Sequence, residues 1–274
     1  MLRQVLILLA VAATISPLGN TGLADTVLDC SGNDNHAESH GDIGNVGSST
    51  LALTFDGDGD YLATPGFSDP MNAATIACWV KFNEEGDTGW DNTMFGNPNW
   101  KSGSIRTEIR DGNRLHSVMS ANSGARHDVG LDNFTNKTGN WYHVALSFGA
   151  ASETPGNNLI TLVLTEKNGT SGSVFREYAD TETFDLSAFE FAGIHIEGRY
   201  LNGEMTDMRV YGEGLSNGDI ALLADLDPNT NPSATNLLAH YHPTLAPVPE
   251  PGTIVLLMST LLCAVISRRR IRVT

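Results

Sequence analysis

Apolar and polar residues alternate along most of the chain with a period of two, which is the pattern of β-strands that bury one face. The clearest runs place apolar side chains at Ile76, Cys78, Val80 and Phe82, at Tyr142, Val144, Leu146 and Phe148, and at Ile160, Leu162 and Leu164. Clusters of Gly, Asn, Asp and Ser separate these runs, as turns do. Many short strands of this kind predict an all-β, antiparallel jelly-roll sandwich.

One stretch has the spacing of a helix instead. Ser216 and Asp219 stand three residues apart, as in a helix-capping pair, and Ile220 and Leu223 share one helical face. The sequence therefore predicts a short helix over residues 216–224.

The N-terminus has the three parts of a secretory signal peptide. Arg3 is basic, residues 5–13 are apolar, and the small residues Gly22 and Ala24 precede Asp25. Nine apolar residues are too few to span a bilayer, which argues against a permanent anchor. We expect residues 1–24 to be removed after Ala24, so that the remaining domain covers residues 25–246.

The C-terminus has an apolar segment between a proline-rich motif and a cluster of arginines. The segment 252–267 is about 24 Å long as a helix, which suffices for a transmembrane helix if the bilayer thins slightly. Arg268, Arg269 and Arg270 should stay on the cytoplasmic side. A plain tail anchor would also have these two features.

The motif before the helix makes the interpretation more specific. Val248 is followed by Pro249, Glu250 and Pro251, and with the helix and the arginines this order resembles the PEP-CTERM sorting signal of exported bacterial proteins. Gly252 is a minor departure from the pattern. The resemblance implies that residues 247–274 are recognised by an exosortase-type membrane enzyme, that cleavage occurs near the motif, and that the protein reaches the cell surface or extracellular matrix.

The charge is distributed unevenly between the ends and the middle. The chain has 16 basic and 32 acidic side chains, and five of the basic ones lie at the two ends. The stretch from Asp25 to Glu250 thus has 11 basic against 32 acidic residues, a formal charge of −21. Such a surface repels phosphates, so nucleic acid is excluded as a partner, whereas divalent cations and neutral glycans are compatible with it.

Several blocks of the middle resemble the laminin-G-like, concanavalin A-like jelly-roll family. They arrive in the family's order and span roughly residues 28–225, with an opening loop at 29–36 and further blocks at 53–62, 75–81, 139–145 and 201–211. The family's strand before the opening loop is missing, because the signal peptide ends there. Chain ends lie side by side in this fold, so the alternating segment 236–241 is expected to form a strand that completes the sheet.

The resemblance also implies a structural calcium ion, because Asp29, Asn33 and Asp207 match the positions at which the family often holds one. Loop carbonyls would supply the remaining oxygen ligands. The alternative is that Asp29 caps a turn and Asp207 pairs with an arginine. A second aspartate-rich segment, 56–60, departs from a calcium-binding EF-hand loop, and its Asp-Gly pairs are better explained by a hairpin turn.

The family's glucanases carry a Glu-x-Asp-x-x-Glu motif, and this chain lacks it. Retaining hydrolysis needs two close carboxyl groups, so we expect no enzymatic activity. Trp90 and Trp100 flank an amide-rich loop with Asn92, Asn97 and Asn99, and an aromatic plane beside amides suits the hydroxyls and apolar face of a sugar. The alternative is that these rings fold back onto the domain.

Two cysteines remain in the exported part. In the related pentraxins a cysteine at the position of Cys78 pairs with one on the strand that resembles residues 141–148, where this chain has none. Cys78 therefore pairs with Cys30 or is a buried thiol. Together these features predict an exported, lectin-like carbohydrate-binding or adhesion protein whose partners are polysaccharides or surface glycans. The alternatives are a structural matrix protein without a small ligand or, less favoured, a divergent glycosidase.

Overall fold

The computed structural model describes residues 26–45, 52–67, 70–83, 92–110, 114–132, 134, 138–167, 169–225 and 236–242. They form two large antiparallel sheets packed face to face, which confirms the expected jelly-roll sandwich. Sheet A has the strand order β1-β2-β5-β14-β7-β8-β9-β10. Its strands are β1 (Thr26–Val27), β2 (Ala37–His40), β5 (Tyr61–Ala63), β7 (Thr93–Gly96), β8 (Ile105–Arg110), β9 (Arg114–Ser120), β10 (Arg126–Leu131) and β14 (Glu190–Phe191).

Sheet B has the order β13-β12-β11-β6-β17-β4-β3, and β18 pairs with β17. Its strands are β3 (Gly44–Asn45), β4 (Leu53–Asp56), β6 (Ala74–Phe82), β11 (Trp141–Ala151), β12 (Asn157–Glu166), β13 (Ser171–Ala179), β17 (Asn202–Tyr211) and β18 (Leu237–Tyr241). A small hairpin of β15 (Gly193–Ile194) and β16 (Arg199–Tyr200) surrounds a 3₁₀ turn at His195–Glu197. The helix α1 spans Asn217–Asp225.

The period-two pattern correctly identified the inner faces of the central strands. The alternating apolar residues predicted to share one face in β6, β11 and β12 all contribute to one large core between the sheets. Cys78 is a fully buried thiol that forms no disulfide, which is the second of its two alternatives, and Cys30 is buried as well. Burial raises the pKa of both thiols.

The helix is confirmed, and it covers part of the outer face of sheet B. Ser216 Oγ donates to the Asp219 carboxylate and accepts from the Asp219 amide, as the capping pair requires. Ile220 and Leu223 pack on a second apolar cluster that includes Ala145 and Tyr211.

The terminal strand β18 is also confirmed, and its position shows which gap it fills. The first half of β17, Asn202 to Met205, pairs with β4, whereas its second half, Met208 to Tyr211, pairs with β18. Without β18 this second half of β17 would present an open edge. Ala239 and Tyr241 of β18 are fully buried in the main core.

The segment 56–60 is not a hairpin turn, and this expectation was wrong. Gly57 and Gly59 do adopt the positive φ angles of 86° and 89° that a tight turn needs. However, the strands on either side belong to different sheets, β4 to sheet B and β5 to sheet A. The turn is a crossover, in which the buried Asp60 carboxylate accepts from the amides of Asp42 and Asp56.

The expected signal peptide (1–24), the sorting segment with its helix at 252–267, and Trp90 lie outside the described residues. Within the part of the chain that the structure describes, no helix is long and apolar enough to span a membrane.

Candidate functional site

The face of sheet A that points away from the core is lined with charged and aromatic side chains, and we call it the outer face of sheet A. Ile105 and Ile109 of β8 point into the core, so Arg106 and Glu108 between them point outward. Directly paired residues of neighbouring strands share a face. The strand register therefore forms a row across the sheet with Glu38, Ala63, Glu190, Gly96, Arg106, Val118 and Asp128.

The β15–β16 hairpin lies across this face and divides it into two halves. A side chain at Gly96 of β7 would come within 3.3 Å of the Ile194 side chain, which shows how closely the hairpin rests on the sheet. The hairpin turns at Ala192 and Gly198, both with positive φ angles, of 62° and 64°. Its His195 and Tyr200 face one half, and its Glu197 and Arg199 face the other.

The first half contains a stack of three rings. Tyr61 lies between His40 and His195, with ring centroids 4.5 Å and 4.8 Å away, and Tyr200 lies 6.4 Å from Tyr61. The two imidazole side chains are 35% and 37% exposed, so the stack reaches the surface. The Glu190 carboxylate holds His195 in place through the His195 amide and Nδ1.

Glu190 itself is buried beneath this stack. Burial raises the pKa of its carboxyl group, and the contacts with His195 only partly offset that rise. The stack is thus a half-exposed aromatic surface supported by a buried acid.

The second half contains a closed network of ion pairs. Glu108 Oε2 lies 3.2 Å from Arg106 Nε and 2.9 Å from Arg199 Nη1. Glu197 Oε2 lies 2.8 Å from Arg106 Nη1 and 3.1 Å from Arg199 Nη2. Two carboxylates and two guanidinium groups therefore neutralise one another on the outer face.

Trp100 borders this network. The guanidinium carbons of Arg106 and Arg126 lie 5.1 Å and 5.9 Å from its ring centroid, within the range of cation–π contacts. Arg126 also makes two hydrogen bonds of 2.9 Å to Asp128, and these lower the pKa of the Asp128 carboxyl group. The Trp100 ring is half-buried, so it stays partly accessible beside the charged groups.

The amides expected beside Trp100 have different positions. Asn97 is buried, donates to the carbonyls of Asp185 and Ala188, and accepts from the Ile105 amide. Asn92 is buried as well and accepts from the Asn202 amide at 3.2 Å. These two side chains therefore stabilise contacts between distant segments and are not available to a ligand. Of the three asparagines, only Asn99 is exposed.

The three residues expected to hold calcium surround strand β18. Asp29 caps a turn by accepting from the Ser31 amide and hydroxyl, and it also accepts from the His240 amide. Asn33 donates to the carbonyl of Leu237. Asp207 has a positive φ of 50° and accepts from Arg209 Nε at 2.7 Å and from His240 Nε2 at 2.6 Å.

These contacts match the alternative roles of a turn cap and an ion pair. Burial alone would raise the pKa of Asp207, but the hydrogen bond from His240 and the charge of Arg209 lower it below its usual value. Among the described residues, no group of three or more His, Cys, Asp or Glu side chains is arranged to hold a metal ion. Calcium binding stays a prediction.

The aromatic stack was not foreseen from the sequence. His40, Tyr61 and His195 are far apart along the chain, and only the pairing of β2 with β5 and the return of the hairpin bring them together. Alternation in β2 and β5 indicates their outward orientation, but no local pattern indicates that the hairpin covers them.

Comparisons with known proteins agree with this architecture. Residues 56–221 match the family described as the concanavalin A-like lectin/glucanases superfamily, and residues 247–270 match the PEP-CTERM protein-sorting motif. The motif identifies an exported precursor that is membrane-anchored and then processed to the cell surface, which implies an exosortase-type enzyme. No curated protein matches the chain in sequence.

Solved structures with a similar fold include binding domains of botulinum neurotoxins. The receptor binding domain of mosaic serotype C/D has a TM-score of 0.52 and 15% identity, over 72% of this chain and 47% of that one. The serotype G binding domain has a TM-score of 0.52 and 13% identity, over 75% and 50%. The chain spans about half the length of these relatives, and at such low identity the likeness shows the fold alone.

Proposed function

The chain belongs to the concanavalin A-like lectin/glucanases superfamily, and from this premise we propose that it binds an uncharged carbohydrate on the outer face of sheet A once it has been exported. The bound polymer would be a polysaccharide or a surface glycan. The domain would then act as an adhesion module at the cell surface.

The observation that carries this proposal is the charge balance of the face. The stretch from Asp25 to Glu250 has a formal charge of −21. On the outer face of sheet A, however, four acidic side chains each contact a basic one. Glu108 and Glu197 pair with Arg106 and Arg199, Asp128 pairs with Arg126, and Glu190 contacts His195. Because its charges balance, this face has no strong field of one sign that would select a charged ligand. A neutral ligand can bind there without displacing counter-ions.

The chemistry of the face also suits a sugar. The half-exposed imidazoles of His40 and His195, which Tyr61 holds apart, and the Trp100 ring offer aromatic surface against which the apolar face of a pyranose packs. Tyr200 and Asn99 offer polar groups close to them. Rings at both halves of the face would let a chain of several sugars make contact at more than one point.

We also propose that the domain has no glycosidase activity. Glycoside hydrolysis needs one carboxyl group that donates a proton and a second that faces the sugar. Glu108 and Glu197 each lie within 3.2 Å of the same two arginines, so neither carboxylate is available as a proton donor or a nucleophile.

A glycan array probed with the purified full chain, with and without calcium, tests the proposal. We expect signals on a limited set of neutral glycans that are lost in Tyr61→Ala and kept in Trp141→Ala. Trp141 is an equally half-buried aromatic residue on sheet B, so it is the matched control. Equal signals from both variants would contradict a site at the Tyr61 stack, and no signal from the parent chain on any glycan would favour a structural matrix protein.

A further inference from the structure

Strand β18 is the last described element before the sorting motif, so it links the domain to the membrane-anchored segment of the precursor. Only six residues separate His242, the last described residue, from Pro249 of the sorting motif. At about 3.4 Å per extended residue this spacer reaches little more than 20 Å. Any pull between the domain and its attachment point therefore acts directly on β18.

One edge of β18 is held by the sheet. Its residues pair with β17 from Met208 to Tyr211, with an irregularity between Val210 and Tyr211. Among the described strands, β17 is the single long partner of β18, and so the sheet alone gives it one edge of support.

The opposite edge is held by backbone and side-chain groups of the N-terminal loop Asp29–Asn35, which we call the lock loop. The Cys30 amide donates to the His240 carbonyl at 2.8 Å, and Asp29 Oδ1 accepts from the His240 amide at 2.9 Å. Asn33 and Asn35 donate to the carbonyls of Leu237 and Leu238, each at 2.7 Å. These hydrogen bonds satisfy backbone N–H and C=O groups of β18, as those of a neighbouring strand would.

Asp29 bonds both within the lock loop and to strand β18. Its carboxylate is buried and accepts from the Ser31 amide and hydroxyl, from the Asn35 amide and from the His240 amide, over distances of 2.7–3.1 Å. Removing it leaves all of these donors without their acceptor, which loosens the loop and the strand together.

We propose that the lock loop fastens the attachment strand, and that β18 detaches locally when the lock opens while the rest of the sandwich stays folded. Elements held by few contacts open below the free energy of global unfolding. In its sheet, β18 pairs with β17 alone, whereas the core strands β6, β11, β12 and β17 pair on both sides. Local opening must also expose Ala239 and Tyr241, but it leaves the pairing of those core strands intact.

The chain contains its own reporters for this opening. Cys30 lies in the lock loop and bonds to the backbone of β18, whereas Cys78 lies at the centre of β6 in the main core. Detachment of β18 uncovers Cys30 alone, and global unfolding uncovers both thiols.

The test is pulsed alkylation of the purified full chain with iodoacetamide, followed by peptide mapping by mass spectrometry, so that each cysteine is counted separately. Each rate is divided by that of the same cysteine in the denatured chain. We expect Cys30 to react at least tenfold faster than Cys78 in the parent chain. In Asp29→Ala the Cys30 rate should rise at least another tenfold, while the Cys78 rate stays within twofold.

Asn33→Ala is the milder variant and should raise the Cys30 rate about threefold, because it removes the bonds to β18 and one to the Ser31 hydroxyl but leaves every contact of Asp29 in place. Asp58→Ala, an exposed aspartate in the crossover turn, should change neither rate. Equal rates at Cys30 and Cys78 in the parent chain would overturn the proposal. So would parallel increases at both thiols in Asn33→Ala, or unchanged Cys30 rates in both loop variants.

Discussion

The rings of His40 and Tyr61 lie parallel on the outer face of sheet A, with centroids 4.5 Å apart and planes only 4° apart. The two residues face each other because β2 and β5 pair in the register that sets His40 opposite Tyr61. With His195 on the other side, this pair forms the accessible aromatic surface on which the proposed carbohydrate site rests.

Removal of β18 should destabilise the sandwich. A chain that ends after Asp225 loses the buried Ala239 and Tyr241 and exposes the edge of β17. We expect its melting temperature to fall by roughly 5–10 °C, as the loss of a few kcal/mol does in a domain of this size. Calorimetry of this variant, with a chain that ends after His242 as control, measures the effect, and equal melting temperatures would contradict it.

Stability should decline in mild acid because of His143. Burial lowers the pKa of this imidazole from 6.5 to about 4, so the folded state resists the proton that the unfolded state accepts below pH 6.5. The free energy of unfolding should therefore drop between pH 6.5 and 4, by about 3 kcal/mol from this group.

Urea unfolding at pH 7 and pH 4.5 checks this decline, with His143→Leu as the comparison. The variant keeps the carboxylates but loses the buried imidazole, so its stability should depend less on pH in this window. Asp207 acts in the same direction at lower pH, since its lowered pKa confers stability that is lost only below about pH 4. A parent chain equally stable at both pH values would refute the role of His143.

Calcium binding through Asp29, Asn33 and Asp207 stays a prediction that melting experiments can decide. An ion there would compete with Arg209 and His240 for the Asp207 carboxylate. If it binds, the melting temperature should rise with calcium, and Asp207→Asn should lose that rise. A parent chain that melts at the same temperature in calcium and in chelator would end this hypothesis.

Processing of the sorting segment should remove the arginine cluster. The motif Pro249, Glu250 and Pro251 lies within the matched region 247–270, and cleavage near it releases everything that follows. Intact-mass spectrometry of the exported protein should find most molecules without Arg268 to Thr274. Recovery of full-length C-termini on most surface molecules would show that the segment is a permanent anchor.

The sequence predicted what depends on local pattern and missed what depends on distant contacts. Alternation at Tyr142 to Phe148 and the Ser216–Asp219 spacing identified a core strand and the helix, because strand and cap geometry are local properties. Asn97 looked like a solvent-facing amide in its loop, yet it is buried against Asp185 and Ala188, which lie 88 and 91 residues away along the chain.

The crossover at 56–60 is a second case in which local residues do not determine long-range pairing. Its glycines fix a tight turn whether the two strands pair with each other or enter different sheets, so the residues alone do not separate the two outcomes. The strand β18 was predictable because its alternation coincided with an unfilled position in the fold that the earlier blocks resemble.

The most direct test of the central claim is a binding titration with the neutral glycan that gives the highest array signal, using the parent chain, Tyr61→Ala, Trp100→Ala and Trp141→Ala. We expect the first two variants to lose at least tenfold in affinity while their melting temperatures stay within a few degrees of the parent, because partly exposed rings support little core. Trp141→Ala on sheet B should bind as the parent does. Unchanged affinity in both sheet A variants, or an equal loss in Trp141→Ala, would contradict a carbohydrate site on the outer face of sheet A.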